Sequence, residues 1–173
     1  MKSIKFTLAA LFVFASTSTA MGDTTASQKF TINVPTAISI TAPSNVSITH
    51  DETENDQAFP AQPWVVRGNS LAGVTVSLST TKAFTHITDT TAKRNAQLGL
   101  SVASQEGAAN WTVTTPTDVT DYATNDGVAT VQATSNGFGR ATLDVAVSFV
   151  TDGFGTFAAG DYETTVTGTV TSN

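Results

Sequence analysis

The chain has 173 residues, no cysteine, and a net charge of −6 from 14 acidic and 8 basic side chains. Zero cysteines exclude a disulfide scaffold, and an acidic balance with scattered cations argues against a nucleic-acid reader, which needs a clustered basic face. One domain of about 150 residues buries roughly 68–70% of its unfolded surface, enough for a core without covalent staples.

Residues 1–20 read as a secretory signal: Lys2 and Lys5 lead, an apolar run fills 6–15, and small residues end at Ser18-Thr19-Ala20. That run is about half of the roughly twenty residues a membrane-spanning helix needs, so cleavage after Ala20 is expected, with no transmembrane anchor afterwards. Losing Lys2 and Lys5 takes the net charge from −6 to −8. Without cysteine there is no acylation site, so the expected location is secreted, periplasmic or cell-surface. Residues 21–27 form a polar lead and 28–173 the folded domain.

Phe30, Ile32, Val34, Ile38 and Ile40 share one parity and polar residues the other, which is the period-2 signature of strands with one apolar face. Pro35 divides the run, because it cannot donate to a ladder. Residues 28–34 are read first as the chain's own opening strand. The alternative is a strand that completes a neighbour's sheet, with Phe30, Ile32 and Val34 as the partner-binding residues. Two near-copies follow, Ile38-Ser39-Ile40-Thr41 and Val46-Ser47-Ile48-Thr49, joined by turn chemistry at residues 42–45; a hairpin or a corner between sheets is expected.

His50-Asp51-Glu52-Thr53-Glu54-Asn55-Asp56 packs four carboxylates into seven residues, hard oxygen ligands suited to calcium. The candidate metal residues are Asp51, Glu52, Glu54 and Asp56. EF-hand spacing holds at Asp51, Thr53 and Asn55 and fails at Asp56 and Gln62, so a solvated acidic loop is the competing reading. No other cofactor is implied.

Alternation resumes at residues 74–78, 98–102, 111–113, 128–131, 143–149 and 162–171, each run bounded by Gly, Asn, Asp or Pro. Only residues 91–97 could form a helical turn, and Thr and Asn weaken it. Many short strands without a helical period predict an all-β, antiparallel, immunoglobulin-like sandwich of two sheets and roughly 8–10 strands in a single domain. Thr is expected at outward positions, where its branched Cβ suits the pleat and its hydroxyl stays wet.

Gly160-Asp161-Tyr162 followed by Val166-Thr167-Gly168-Thr169-Val170-Thr171 resembles the closing strand of secreted bacterial immunoglobulin-like sandwiches of the spore-coat-U and fimbrial-subunit kind. The mature chain is also similar to uncharacterised exported single-domain proteins of environmental Gram-negative bacteria. Fimbrial relatives usually carry a disulfide and an aromatic next to last; this chain has no cysteine, and Ser172 stands there. The resemblance implies the sandwich fold and a fimbria-like surface role.

Other chemistry finds little footing. His50 and His86 are the only histidines and have no cysteine partners for zinc. Ser70, in Gly68-Asn69-Ser70-Leu71-Ala72-Gly73, misses the nucleophile-elbow spacing and reads as a surface turn. No carboxylate pair is marked for glycoside hydrolysis. Trp64, Trp111, Tyr122, Tyr162 and Phe138 could include a glycan platform, though the tryptophans have apolar neighbours that suit a core. Phe154 and Phe157 lie on the Gly-rich stretch Asp152-Gly153-Phe154-Gly155-Thr156-Phe157, where exposure and partner contact are expected.

The reading is therefore a non-enzymatic structural or adhesive protein of the cell surface or extracellular matrix, self-assembling by strand addition. A secreted binding module for glycans or another protein, calcium-stabilised, is the alternative. Partners are a second copy, other surface proteins or glycans.

Overall fold

The computed structural model describes residues 24–153 and 155–173. The chain divides into two compact units, Met1–Asn33 and Val34–Asn173. The expected signal, residues 1–20, lies outside the described residues, as does Phe154. No described helix is long and apolar enough to cross a membrane.

Within the second unit thirteen strands are described: β1 (Ile38–Thr41), β2 (Gln57–Ala58), β3 (Gln62–Gly68), β4 (Val74–Thr80), β5 (Phe84–His86), β6 (Lys93–Arg94), β7 (Ala96–Gly107), β8 (Trp111–Thr115), β9 (Thr117–Val119), β10 (Thr130–Ser135), β11 (Gly139–Phe149), β12 (Tyr162–Glu163) and β13 (Val166–Ser172). All pairings are antiparallel. One sheet runs β1-β3-β11-β7-β9, with β2 on the end of β11; the second runs β13-β4-β10-β8; a small third runs β12-β5-β6. The fold is an all-β sandwich. The expected two sheets become three, because β5 pairs with β6 and β12 rather than with a strand of either main sheet.

Alternation builds the core as it should. Trp64 and Val66 of β3, Val74, Val76 and Leu78 of β4, Leu98 and Leu100 of β7, Val131 of β10, and Leu143 and Val145 of β11 meet between the main sheets in one buried cluster. Each such side chain contributes about 1.5–3 kcal/mol by leaving water. Trp64 and Trp111 belong to this cluster, so they are core residues rather than a surface platform.

Several expectations are corrected. Residues 28–34 form no strand: Phe30 and Ile32 are 85% and 87% exposed and Val34 71%, with no ladder recorded for any of them. Regular pairing starts only after Pro35. Asn69 holds that entry, its carboxamide donating to Pro35 O (2.8 Å) and accepting from Ala37 N (2.6 Å), while its own N–H donates to Ala37 O (3.1 Å). The second near-copy, residues 46–49, is not a strand either. β1 pairs with β3 instead, from Ile38↔Gly68 to Thr41↔Val65, and the turn residues 42–45, Pro43 included, take the chain off that ladder. Residues 91–97 hold β6 and the start of β7, not a helical turn.

Threonine is not always outward. Thr80, Thr120 and Thr151 are buried. Each hydroxyl takes a backbone group that the ladders leave over: Ala129 N–H donates to Thr80, Ala96 N–H donates to Thr120, and Thr151 donates to Asn55 O. Buried backbone polar groups need such partners, and threonine supplies them from inside the sandwich.

Candidate functional site

On one side the two main sheets lose their paired edges. The β1–β3 ladder ends at Thr41↔Val65, so the outer edge of Gln62–Trp64 has no strand beside it, and β13 joins β4 only from Val166↔Thr80 onward. Between these points opens a groove of about 1210 Å³, walled by residues 42–50 and 157–166, with Trp64, Val145, Val147 and Phe149 among its lining. β13 is also the terminal strand of its sheet, so one row of its backbone N–H and C=O groups faces away from β4.

An aromatic cluster closes one end of the groove. Phe84 and Phe149 are buried with Ala96, and Phe59, Val147 and Tyr162 pack against them. The β7–β11 ladder runs through to Phe149↔Ala96, which fixes the Phe149 ring inside. Phe84 lies 5.3 Å from Phe149 and stacks on Phe59 at 5.9 Å; Tyr162 meets Phe149 edge-on at 5.5 Å. Such pairs add about 0.5–1.5 kcal/mol each beyond area burial.

Phe157 corrects the expectation of an exposed loop aromatic. It is half-buried, 4.7 Å from the His50 ring and 6.0 Å from Phe149, with the Arg94 guanidinium 5.9 Å from its ring centre. Phe30, Ile32 and Val34 are exposed.

Both histidines serve the walls of the groove through defined tautomers. His50 Nδ1 accepts from Glu52 N (3.0 Å), so Nε2 carries the proton toward Thr151 Oγ1 (3.3 Å), whose own proton goes to Asn55 O (2.7 Å). His86 Nδ1 accepts from Thr88 N (3.2 Å) and Asp89 N (3.0 Å), leaving Nε2–H for Ala159 O (3.2 Å). Gly160 must be glycine beside it: its φ is +141°, and a Cβ there would collide with His86 Nε2. Among the described residues no group of three or more His, Asp or Glu side chains converges as a metal cage.

The acidic loop is knotted on itself and on Thr151. Asp51 Oδ1 accepts from Thr53 N (3.0 Å), Thr53 Oγ1 (2.7 Å) and Gln57 Nε2 (2.7 Å), while Asp56 Oδ1 accepts from Thr151 N (2.9 Å). The Thr53 hydroxyl is the main reason the Asp51 carboxyl sits below the usual carboxylate range. Glu52 and Glu54 are exposed and do not join Asp51 and Asp56 around a common point. Asp89 is lowered likewise, first by the Thr91 hydroxyl. Away from the groove, Arg140 bonds Glu106, lowering that carboxyl and raising the guanidinium.

Ser70 occupies the turn between β3 and β4, closed by Gly73 N–H onto Ser70 O at 3.1 Å. No local pattern marks a site at Arg94, Tyr122, Lys82 or Lys93, which the fold draws together across forty residues. Only the charge of Lys82, Lys93 and Arg94 in an acidic chain could have drawn notice. Comparison with known proteins returns no match: no family model, no curated protein and no solved structure matches this chain.

Proposed function

We propose that this chain is an exported, non-enzymatic structural or adhesive component of the cell surface or extracellular matrix, with an immunoglobulin-like strand arrangement, and that copies assemble by strand addition. The observation that carries this reading is the segment around Phe30-Thr31-Ile32-Asn33-Val34: strictly alternating, exposed, and outside every described sheet. An extended segment of this kind gains hydrogen bonds by lying along a sheet edge and gains specificity by seating alternate side chains in pockets. The groove offers both: the unpaired outer edge of Gln62–Trp64, and apolar floor residues for Phe30, Ile32 and Val34 of a second copy. The likeness of residues 159–171 to fimbrial closing strands agrees with this role.

Deleting residues 21–34 is the test. The expected result is that the full chain forms filaments or sheets in negative stain, and that the deleted chain is a folded sandwich with an unchanged β circular-dichroism spectrum that forms none. Polymers that persist after the deletion overturn strand addition. The groove's aromatic rim favours one second reading, a secreted module for glycans or another protein, calcium-stabilised at the acidic loop. Under that reading a glycan array is positive and a calcium titration raises Tm.

A further inference from the structure

We propose that a second pocket, beside the paired strands β5 and β6 and the loop after Tyr122, is a receptor for a single oxyanion, a carboxylate or sulfate group. It is about 150 Å³ in volume and shares no lining residue with the groove, so it stands apart from strand addition. Lys82, Lys93, Tyr122 and Asn125 line it. At about 30 Å³ per water, the space holds roughly five water molecules, room for one charged group but below the ~300 Å³ at which whole-ligand pockets begin.

The β5–β6 pairing sets the chemistry. Thr85↔Lys93 and Phe84↔Arg94 are opposite pairs, so Lys93 goes to the pocket face and Arg94 goes inward. Arg94 is only 4% exposed, its Nε has no hydrogen-bond partner, and no carboxylate lies within ion-pair distance of it among the described residues. Its Nη1 donates to Tyr122 Oη at 2.8 Å. That phenol oxygen therefore accepts from a buried cation, and its own proton has no acceptor among the described residues. A guanidinium without a counter-ion stabilises negative charge nearby, and a phenol polarised by it is a strong donor.

Charge distribution points the same way. In a chain of net charge −6, Lys82, Lys93 and Arg94 gather here with no carboxylate in ion-pair contact among the described residues, while Arg140 is paired with Glu106. The nearby Asp121 carboxylate is turned to its own loop, where Oδ1 accepts from Ala123 N (3.0 Å). Two ammonium groups at the rim and a phenol proton make a lining richer in charged donors than in the neutral acceptors of Thr85 and Asn125, which favours an oxyanion over a cation.

The test is an NMR titration of the full chain with sodium sulfate against sodium chloride at equal ionic strength, followed by trigalacturonate. Saturable shifts confined to Lys82, Lys93, Tyr122 and Asn125 are expected. Their midpoint should move at least tenfold weaker in the exposed double variant Lys82→Gln/Lys93→Gln and severalfold weaker in Tyr122→Phe. Trigalacturonate binding tighter than sulfate assigns the site to a polymer-borne carboxylate; equal or weaker binding assigns it to a free anion. Neither probe shifting those resonances, or a double variant that folds and titrates like the native chain, overturns the proposal.

Discussion

At the end of the sandwich that carries Gly73, Ser135 and the close of β13, backbone ladders and aliphatic side chains supply the cohesion, whereas at the groove end the chain is held by aromatic rings and single side-chain hydrogen bonds. At the first end β13 lies along β4 through to Ser172↔Val74, the Val74 N–H donates to the buried Ser135 hydroxyl at 2.9 Å, and Asn173 N–H reaches Gly73 O at 3.1 Å. At the second, residues 42–50 and 157–161 have no ladder and are secured through His50, Thr151, Asp56 and His86. A ladder shares its load over many bonds; a point contact fails when one partner is lost. The groove end is therefore the region that can open at least cost.

Three substitutions sharpen the contrast. Leu143→Ala removes a fully buried side chain from the aliphatic core and should cost about 2–5 kcal/mol in urea unfolding, with all probes shifting together. A loss under about 1 kcal/mol would show that the two sheets do not depend on one packed interior. Thr151→Val keeps the shape, removes the hydroxyl between His50 and Asn55, and should cost about 1–3 kcal/mol. Hydrogen exchange should quicken in residues 50–56 and 157–162 while amides of β4 and β10 stay protected; uniform quickening would contradict the division of the molecule into two regions.

The smallest effect is electrostatic. The Asp51 carboxyl is lowered in the folded chain, so its contribution is present above the ordinary carboxylate range and disappears as pH falls through the lowered value. Asp51→Asn should flatten that acid limb of the stability profile slightly and leave neutral stability nearly unchanged, since the group is fully exposed to solvent. A profile identical to the native one at low pH counts against the knot around Thr53.

Sequence periodicity revealed the strands that matter most to the core and little of the groove. β4, β7, β8, β11 and β13 alternate cleanly enough to be read directly. β3 escaped because Pro63 and the run Trp64-Val65-Val66 hide its parity, although Trp64 and Val66 face inward and Val65 outward. β2, β5, β6, β9 and β12 have two or three residues, too few for any period. Residues 30–34 teach the opposite lesson: alternation records a fitness to pair, and pairing needs an available edge. The aromatic end of the groove joins Phe59, Phe84, Phe149 and Tyr162 from distant stretches, and no local pattern foretells contacts of that range.

Asn69 gives the sandwich a mooring point. Because its side chain and N–H together grip Pro35 and Ala37, tension on the chain ahead of Pro35 is met first by this one asparagine and then by the four pairs of β1 with β3. Force entering through the leading segment thus spreads sideways through β3 into β11, the most extensively bonded strand of the sheet, before it can reach the aliphatic interior.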